Sequence, residues 1–182
     1  FSFIFKSLDG VIKKIDKKAL HQRRAEYLEE KIEEIVKRRF PEALTVSGIK
    51  WMLNNVQYET DLITFIDSHV IIFEAKSHNI TKPALRGAPD RIKRHFKEIF
   101  IEPSIQSQRL EDHLTKLRLN PDIDSELREL LPVDLSKIHQ VLRVSISLED
   151  FATVQTNISK FKDTGWIPED FSPCPSMNLA DF

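Results

Sequence analysis

The sequence predicts an α/β domain with an αβββαβ core, in which a mixed central sheet is flanked by helices. Three observations carry this prediction. A long helical pattern rich in Lys and Glu opens the chain, three β-rich runs follow in quick succession, and two longer helical patterns and a short one separate these from a fourth β-rich run.

Taken in order, the first helix spans about 11 to 40 and is closed by Pro41, which cannot continue it. Strands are expected at 44–51, 56–66 and 69–75, where Leu, Ile, Val and Phe are concentrated. Val70-Ile71-Ile72-Phe73 is apolar at both parities, so this strand is expected to be covered on both faces. Asp67-Ser68, between two apolar runs, reads as a tight hairpin turn. The stretch 85–90 reads as a loop with Asp90 as N-cap, leading into a helix at 89–100. A helix at 103–119 is ended by Asn120-Pro121, and a short one is expected at 122–131. The β-rich run 141–146 supplies the fourth strand, and a helix at 148–162 is expected to be capped by Gly165.

At 182 residues, 41% hydrophobic and 30% charged, the chain is long enough for one well-cored domain without excess for a second. That domain is expected over 1–165, with its core at about 25–147. The Pro-containing stretch 166–182 reads as an extended tail, expected to lead to a further part of a larger protein. A lone cysteine, Cys174, excludes an internal disulfide and a multi-cysteine zinc site, and fits a reducing cytoplasm. The apolar runs are too short to span a bilayer, so no membrane partner is expected. None of the four glycines sits in a dinucleotide-binding or P-loop pattern, and no Gly-x-Ser-x-Gly elbow is present.

The chemistry is concentrated in 58–77. With the turn centred on Asp67-Ser68, Asp61 falls opposite Glu74, and Glu59 opposite Lys76. Glu74 and Lys76, two apart, share a face. Paired carboxylates about 5 Å apart repel unless a cation sits between them. Oxygen ligands of this kind suit Mg²⁺ or Mn²⁺, and an adjacent lysine can orient a water or hold a phosphate oxygen. The same residues also fit an ordinary exposed salt bridge worth ~0–1 kcal/mol.

Asp61 followed by Glu74-Ala75-Lys76 at the end of an apolar strand resembles the PD-(D/E)XK nuclease superfamily, with its restriction-endonuclease-like fold. The framing Glu-Thr-Asp-Leu-Ile and Ile-Ile-Phe-Glu-Ala-Lys-Ser is similar to the nuclease-related domain (NERD) branch. The stretch 28–36 resembles the first helix of these nucleases. Glu29 fits its register best, with Glu26, Glu30, Glu33 and Glu34 as neighbours. Pro103-Ser104-Ile105-Gln106 resembles the Pro-x-x-Gln helix that follows the lysine strand, with Gln108 as a rival for Gln106. Thr60 stands where the eponymous proline would be.

The resemblance implies a metal-dependent nuclease acting on DNA, with RNA as a further substrate class. Asp61, Glu74 and the Ala75 carbonyl would hold Mg²⁺ or Mn²⁺, and Lys76 would position the attacking water. Glu29 would complete the acidic shell, and Gln106 would steady the lysine or a phosphate. The segment 76–97 carries seven Lys and Arg residues against Asp90 alone. Of these, Lys82, Arg86, Arg91 and Arg94 are candidates for nucleic-acid contacts, because phosphates need cations but carry no sequence information. The competing expectation is a nuclease-like fold without catalysis, serving as a nucleic-acid- or protein-binding module.

Overall fold

A computed structural model describes residues 14–120, 122–123, 126–151, 160–163, 165–167 and 171–182. Its centre is a five-stranded mixed sheet in the order β1-β2-β3-β4-β5, flanked by helices. The strands are β1 (Leu44–Leu53), β2 (Val56–Ile66), β3 (His69–Lys76), β4 (Gln140–Ser147) and β5 (Ser176–Asn178). The first three form an antiparallel meander, and β4 and β5 add in parallel.

Helix α1 (Lys14–Arg39) is unbroken and buries Leu28, Ile32 and Val36 on one sheet face. Their spacing of four keeps one stripe inward while the charged residues between them stay in solvent. This stripe meets Leu62, Phe73 and Ile146. The opposite face of the sheet is covered by α4 (Glu102–Leu119) and α5 (Glu126–Leu130), whose Leu110, Leu114, Leu117 and Leu127 pack on Ile63, Val70 and Ile72. Alternate residues of β3 thus enter different cores, as its uninterrupted apolar run predicts.

The hairpin register agrees with the sequence expectation: Ile66 pairs with His69 and Leu62 with Phe73 around Asp67-Ser68. The β2–β3 ladder stops at Leu62 and Phe73, however, so Glu59 is not the cross-strand neighbour of Lys76; it pairs with Lys50 of β1 instead. The β1–β2 turn is Asn54-Asn55, both at positive φ (51° and 61°), a conformation asparagine tolerates better than most residues. Strand β1 accordingly runs to Leu53, beyond the expected 44–51.

Within β1–β2, Gly48 and Asp61 would face each other, yet neither is in the ladder, and Gly48 has φ of 60°. The strands change parity there. Val46 and Ile49, three apart, enter the same core, as do Tyr58 and Ile63. This kink takes Asp61 out of the regular alternation.

Several expected boundaries are corrected. Asp90 is not an N-cap: Ala88 caps α3 (Pro89–Phe96), Pro89 takes the first turn, and Asp90 follows inside it, where a carboxylate favours the helix dipole. A four-residue helix, α2 (Lys82–Leu85), precedes it inside the basic stretch. The helices expected at 89–100 and 103–119 are joined by a π-helical turn, Lys97–Ile101, rather than separated. Pro103 lacks the N–H that would bond back one turn, and the wider turn accommodates it. Buried Ser104 and Ser107 help to close that region by donating to the carbonyls of Phe100 and Pro103.

After β4, Leu148, Glu149 and Asp150 are not helical; 152–159 lie outside the described residues, and α6 is Lys160–Asp163. Gly165 follows at φ of 68°. The segment read as an extended tail supplies β5, and Phe182 packs against Phe73 with ring centroids 5.6 Å apart. Cys174 is buried there, its N–H donating to Ser104 Oγ at 3.0 Å. No helix among the described residues is long and apolar enough to cross a membrane.

Candidate active site

Asp61, Glu74 and Lys76 meet where the β2–β3 ladder ends. Backbone pairing gives way to a side chain there, as Asp61 Oδ2 accepts from the Ala75 N–H at 2.7 Å. Lys76 Nζ donates to Glu74 Oε2 at 3.1 Å and lies 3.9 Å from Asp61 Oδ2. Its remaining contact reaches across the cavity to α4, where Gln106 Oε1 accepts at 3.0 Å. This separates Gln106 from Gln108, which donates to Asp112 on the exposed helix surface.

Glu74 is the most constrained of the set. Its residue exposure is 2%, and Oε1 is buried without a hydrogen-bond partner. Burial is the main reason its carboxyl is pushed up to about 7, with Asp61 adding repulsion and Lys76 and Arg109 pulling the other way. Glu29 is also pushed up to about 7, by partial desolvation and by the Asp61 and Glu59 carboxylates. It remains exposed on α1 and does not line the cavity. Glu59 does, so of these two carboxylates the one facing the cavity comes from β2.

The cavity has a volume of about 320 Å³. Besides the acidic pair, Lys76 and Gln106, its walls include Tyr58, Glu59 and Arg109. Arg109 is one helical turn beyond Gln106, a spacing that places both on one face of α4. That Gln-x-x-Arg spacing was the available sequence signal for Arg109; Tyr58 carried none by itself.

The proposed phosphate-contacting residues lie elsewhere. Lys82, Arg86, Arg91 and Arg94 are exposed on α2, α3 and the turn between them, and none lines the cavity. Arg94 is engaged with Glu98 at 2.7 Å. His95 is structural: its Nε2 accepts from the Thr81 N–H at 3.3 Å, which leaves the proton on Nδ1, 3.5 Å from Glu98.

The ends of β3 and β4 are fastened by a buried ion pair that joins segments far apart in sequence. Arg24 of α1 donates to the Ser77 carbonyl from Nε and Nη2, at 3.2 and 3.1 Å, and to Glu149 Oε1 at 3.2 Å. Arg24 is 0% exposed and Glu149 2%. The residue immediately after Lys76 is thereby anchored to α1.

Two carboxylates, one with an orphaned buried oxygen, fit a hard divalent cation such as Mg²⁺, which takes few protein ligands and keeps several waters. Among the described residues, no three His, Cys, Asp or Glu side chains form a ready-made metal cage. A cation here would therefore rest on the acidic pair, backbone oxygen and water.

No family model matches the chain, and no curated protein matches it. One solved structure is similar, the crystal structure of protein VC1899 from Vibrio cholerae, at 14% identity and a TM-score of 0.35 over 85% of this chain. The chain spans 29% of that protein's length.

Proposed function

We propose that this protein is a divalent-metal-dependent nuclease that hydrolyses phosphodiester bonds of DNA, belonging with the PD-(D/E)XK nucleases that its Asp61 and Glu74-Ala75-Lys76 resemble. The observation that carries this reading is the buried carboxylate Glu74, with one oxygen unpartnered, beside Asp61 and Lys76 in an open cavity. An apolar strand end that served only as scaffold would gain by avoiding such a group, since a buried carboxylate without full compensation is costly.

In this reading, Asp61, Glu74 and the Ala75 carbonyl would hold Mg²⁺ or Mn²⁺. A cation held there would supply Lewis-acid stabilisation of charge on the phosphoryl oxygens and would lower the pKa of a water. Lys76, steadied by Gln106, orients the attacking water or holds a phosphate oxygen. Asp61 is held in turn by the Ala75 N–H, so both acidic side chains are tied to the end of β3. Glu59, on the cavity wall, takes the supporting acidic role that the resemblance assigns to Glu29, while Glu29 tunes the field from outside. The exposed cations Lys82, Arg86 and Arg91 would guide the nucleic-acid backbone toward the cavity rather than touch the reacting phosphate.

The test is a cleavage series on supercoiled, linear and single-stranded DNA and on RNA, with Mg²⁺, Mn²⁺ or chelator. Cleavage is expected with either metal, abolished by chelator and by Lys76→Ala or Asp61→Ala. Metal-independent cleavage, or cleavage unchanged in both variants, would exclude this site as its source.

A further inference from the structure

The wall of the cavity formed by Tyr58 and Arg109 is built differently from the acidic wall. The Arg109 guanidinium lies over the Tyr58 ring, 4.2 Å from its centroid. Tyr58 is backed by Trp51, its cross-strand partner, at 5.2 Å between ring centroids. Trp51 is 1% exposed, donates from Nε1 to Thr60 Oγ1 at 3.1 Å, and stacks on His113 at 13° between planes. A rigid aromatic column therefore runs from the core to the cavity and ends in a cation.

Besides its electrostatic pull on Glu74, Arg109 is held by this ring contact: among the described residues its N–H groups form no hydrogen bond or ion pair. Cation–π attraction holds the guanidinium in place without consuming its donors. The planar fork then remains available for an anion of matching geometry, and phosphate oxygens accept such a fork in bidentate fashion. Because the guanidinium covers the Tyr58 face on which it lies, that face cannot stack on a nucleobase.

Charge balance makes this wall dependent on its opposite. With all carboxylates ionised, Glu59, Asp61 and Glu74 outnumber Lys76 and Arg109 by one, so the cavity by itself repels a phosphate. A divalent cation on the acidic pair reverses the balance to one positive charge.

We propose that Arg109, presented by Tyr58, receives a backbone phosphate of the nucleic-acid substrate in the cavity, and that it does so only together with a divalent cation. This assignment rests on the nuclease reading. It makes Tyr58 a positioning residue and separates the phosphate contact inside the cavity from the exposed cations of α2 and α3.

The experiment measures binding of labelled duplex DNA, single-stranded DNA and RNA across a salt series, in Ca²⁺ to limit turnover and in chelator. Wild type, Arg109→Ala, Arg109→Lys and Tyr58→Leu are compared, each checked by thermal melting. Wild type is expected to bind more tightly with Ca²⁺ than with chelator. Arg109→Ala should lose about tenfold or more in affinity with Ca²⁺ and about one unit of the salt slope. Arg109→Lys should keep the slope and lose affinity, and Tyr58→Leu should do the same because the charge remains but is no longer held. If Arg109→Ala does not fold, the last two variants carry the test. RNA binding with the same Arg109 dependence supports the phosphate contact and reassigns the nucleic acid. A wild type that binds and cuts DNA while the variants match its affinity and slope overturns the Arg109 assignment and leaves the nuclease reading standing. A wild type that neither binds nor cuts any of these nucleic acids overturns both.

Discussion

Replacing Glu74 by glutamine isolates the energetic signature of the acidic site. In the metal-free protein the Glu74 carboxyl is pushed from 4.5 to about 7, principally by burial. A carboxyl with a raised folded-state pKa keeps its proton longer when folded. Between these two values the unfolded chain holds fewer protons, and stability falls as pH rises. A shift of this size corresponds to about 3 kcal/mol, present below the unfolded value and lost by the time pH exceeds the folded one. Glu29 shifts in the same direction, but its exposure to solvent screens its contribution. Glutamine has nearly the same shape as the protonated acid and cannot ionise. At pH 4, below the unfolded value, Glu74→Gln should therefore nearly match wild type in chelator, and at pH 8 it should exceed it by about 3 kcal/mol, or roughly 6–12 °C in Tm for a domain of this size. Adding Mg²⁺ should stabilise wild type increasingly as pH rises, because metal and proton compete for the same oxygens, and should leave the variant unchanged. Thermal melts over this pH range, with chelator and with Mg²⁺, read both effects. A Glu74→Gln variant that keeps the wild-type pH slope in chelator, or gains as much from Mg²⁺ as wild type does, would mean that Glu74 is neither the titrating group nor a metal ligand.

Other consequences can be measured on the same material. Lys76→Met removes the ammonium 3.1 Å from Glu74, so the pH-dependent loss of stability in chelator should steepen, while Mg²⁺ stabilisation persists and cleavage disappears. Arg24→Met leaves Glu149 buried without its cation and should cost about 3–5 kcal/mol in denaturant unfolding; the double replacement with Glu149→Leu should recover part of that. Gly48→Ala should cost about 1–2 kcal/mol through its φ of 60° alone, because nothing lies within 4 Å of an added Cβ; an unchanged denaturation midpoint would mean that the β1–β2 kink does not constrain the fold.

How much of this was legible in the sequence depends on the range of the interaction concerned. Placing the turn at Asp67-Ser68 was enough to set the β2–β3 register, because side-chain alternation allows few alternatives once both strands are apolar. Asp61, Glu74 and Lys76 do come together, but past the end of the ladder: Asp61 is not the paired neighbour of Glu74 and reaches the Ala75 N–H instead, while Gln106, thirty residues beyond Lys76, meets the lysine across the cavity. Glu29 lies exposed on α1 outside the cavity, within reach of the Asp61 and Glu59 charges, whereas Glu59 lines the cavity. The kink at Gly48 and Asp61 was not legible, since alternation assumes regular pairing and a glycine inside a strand does not by itself announce positive φ. The joining of α3 to α4 was hidden by Pro103, which reads as a helix start and here follows a π-turn. β5 was hidden because three residues among prolines carry too little pattern, and their strand character comes from pairing with β4. The Arg24–Glu149 pair spans 125 positions and could be found only from the folded chain.

If buried Glu74 and its half-buried partner Asp61 form a divalent-cation site serving phosphodiester hydrolysis, a calorimetric titration of Mn²⁺ into wild type and Asp61→Ala at a pH above 7 will read it directly. Saturable binding by wild type, accompanied by proton release near neutral pH, is expected, and its loss in Asp61→Ala. Wild type that takes up no metal at millimolar concentrations, or an Asp61→Ala variant that binds it equally well, would contradict the claim.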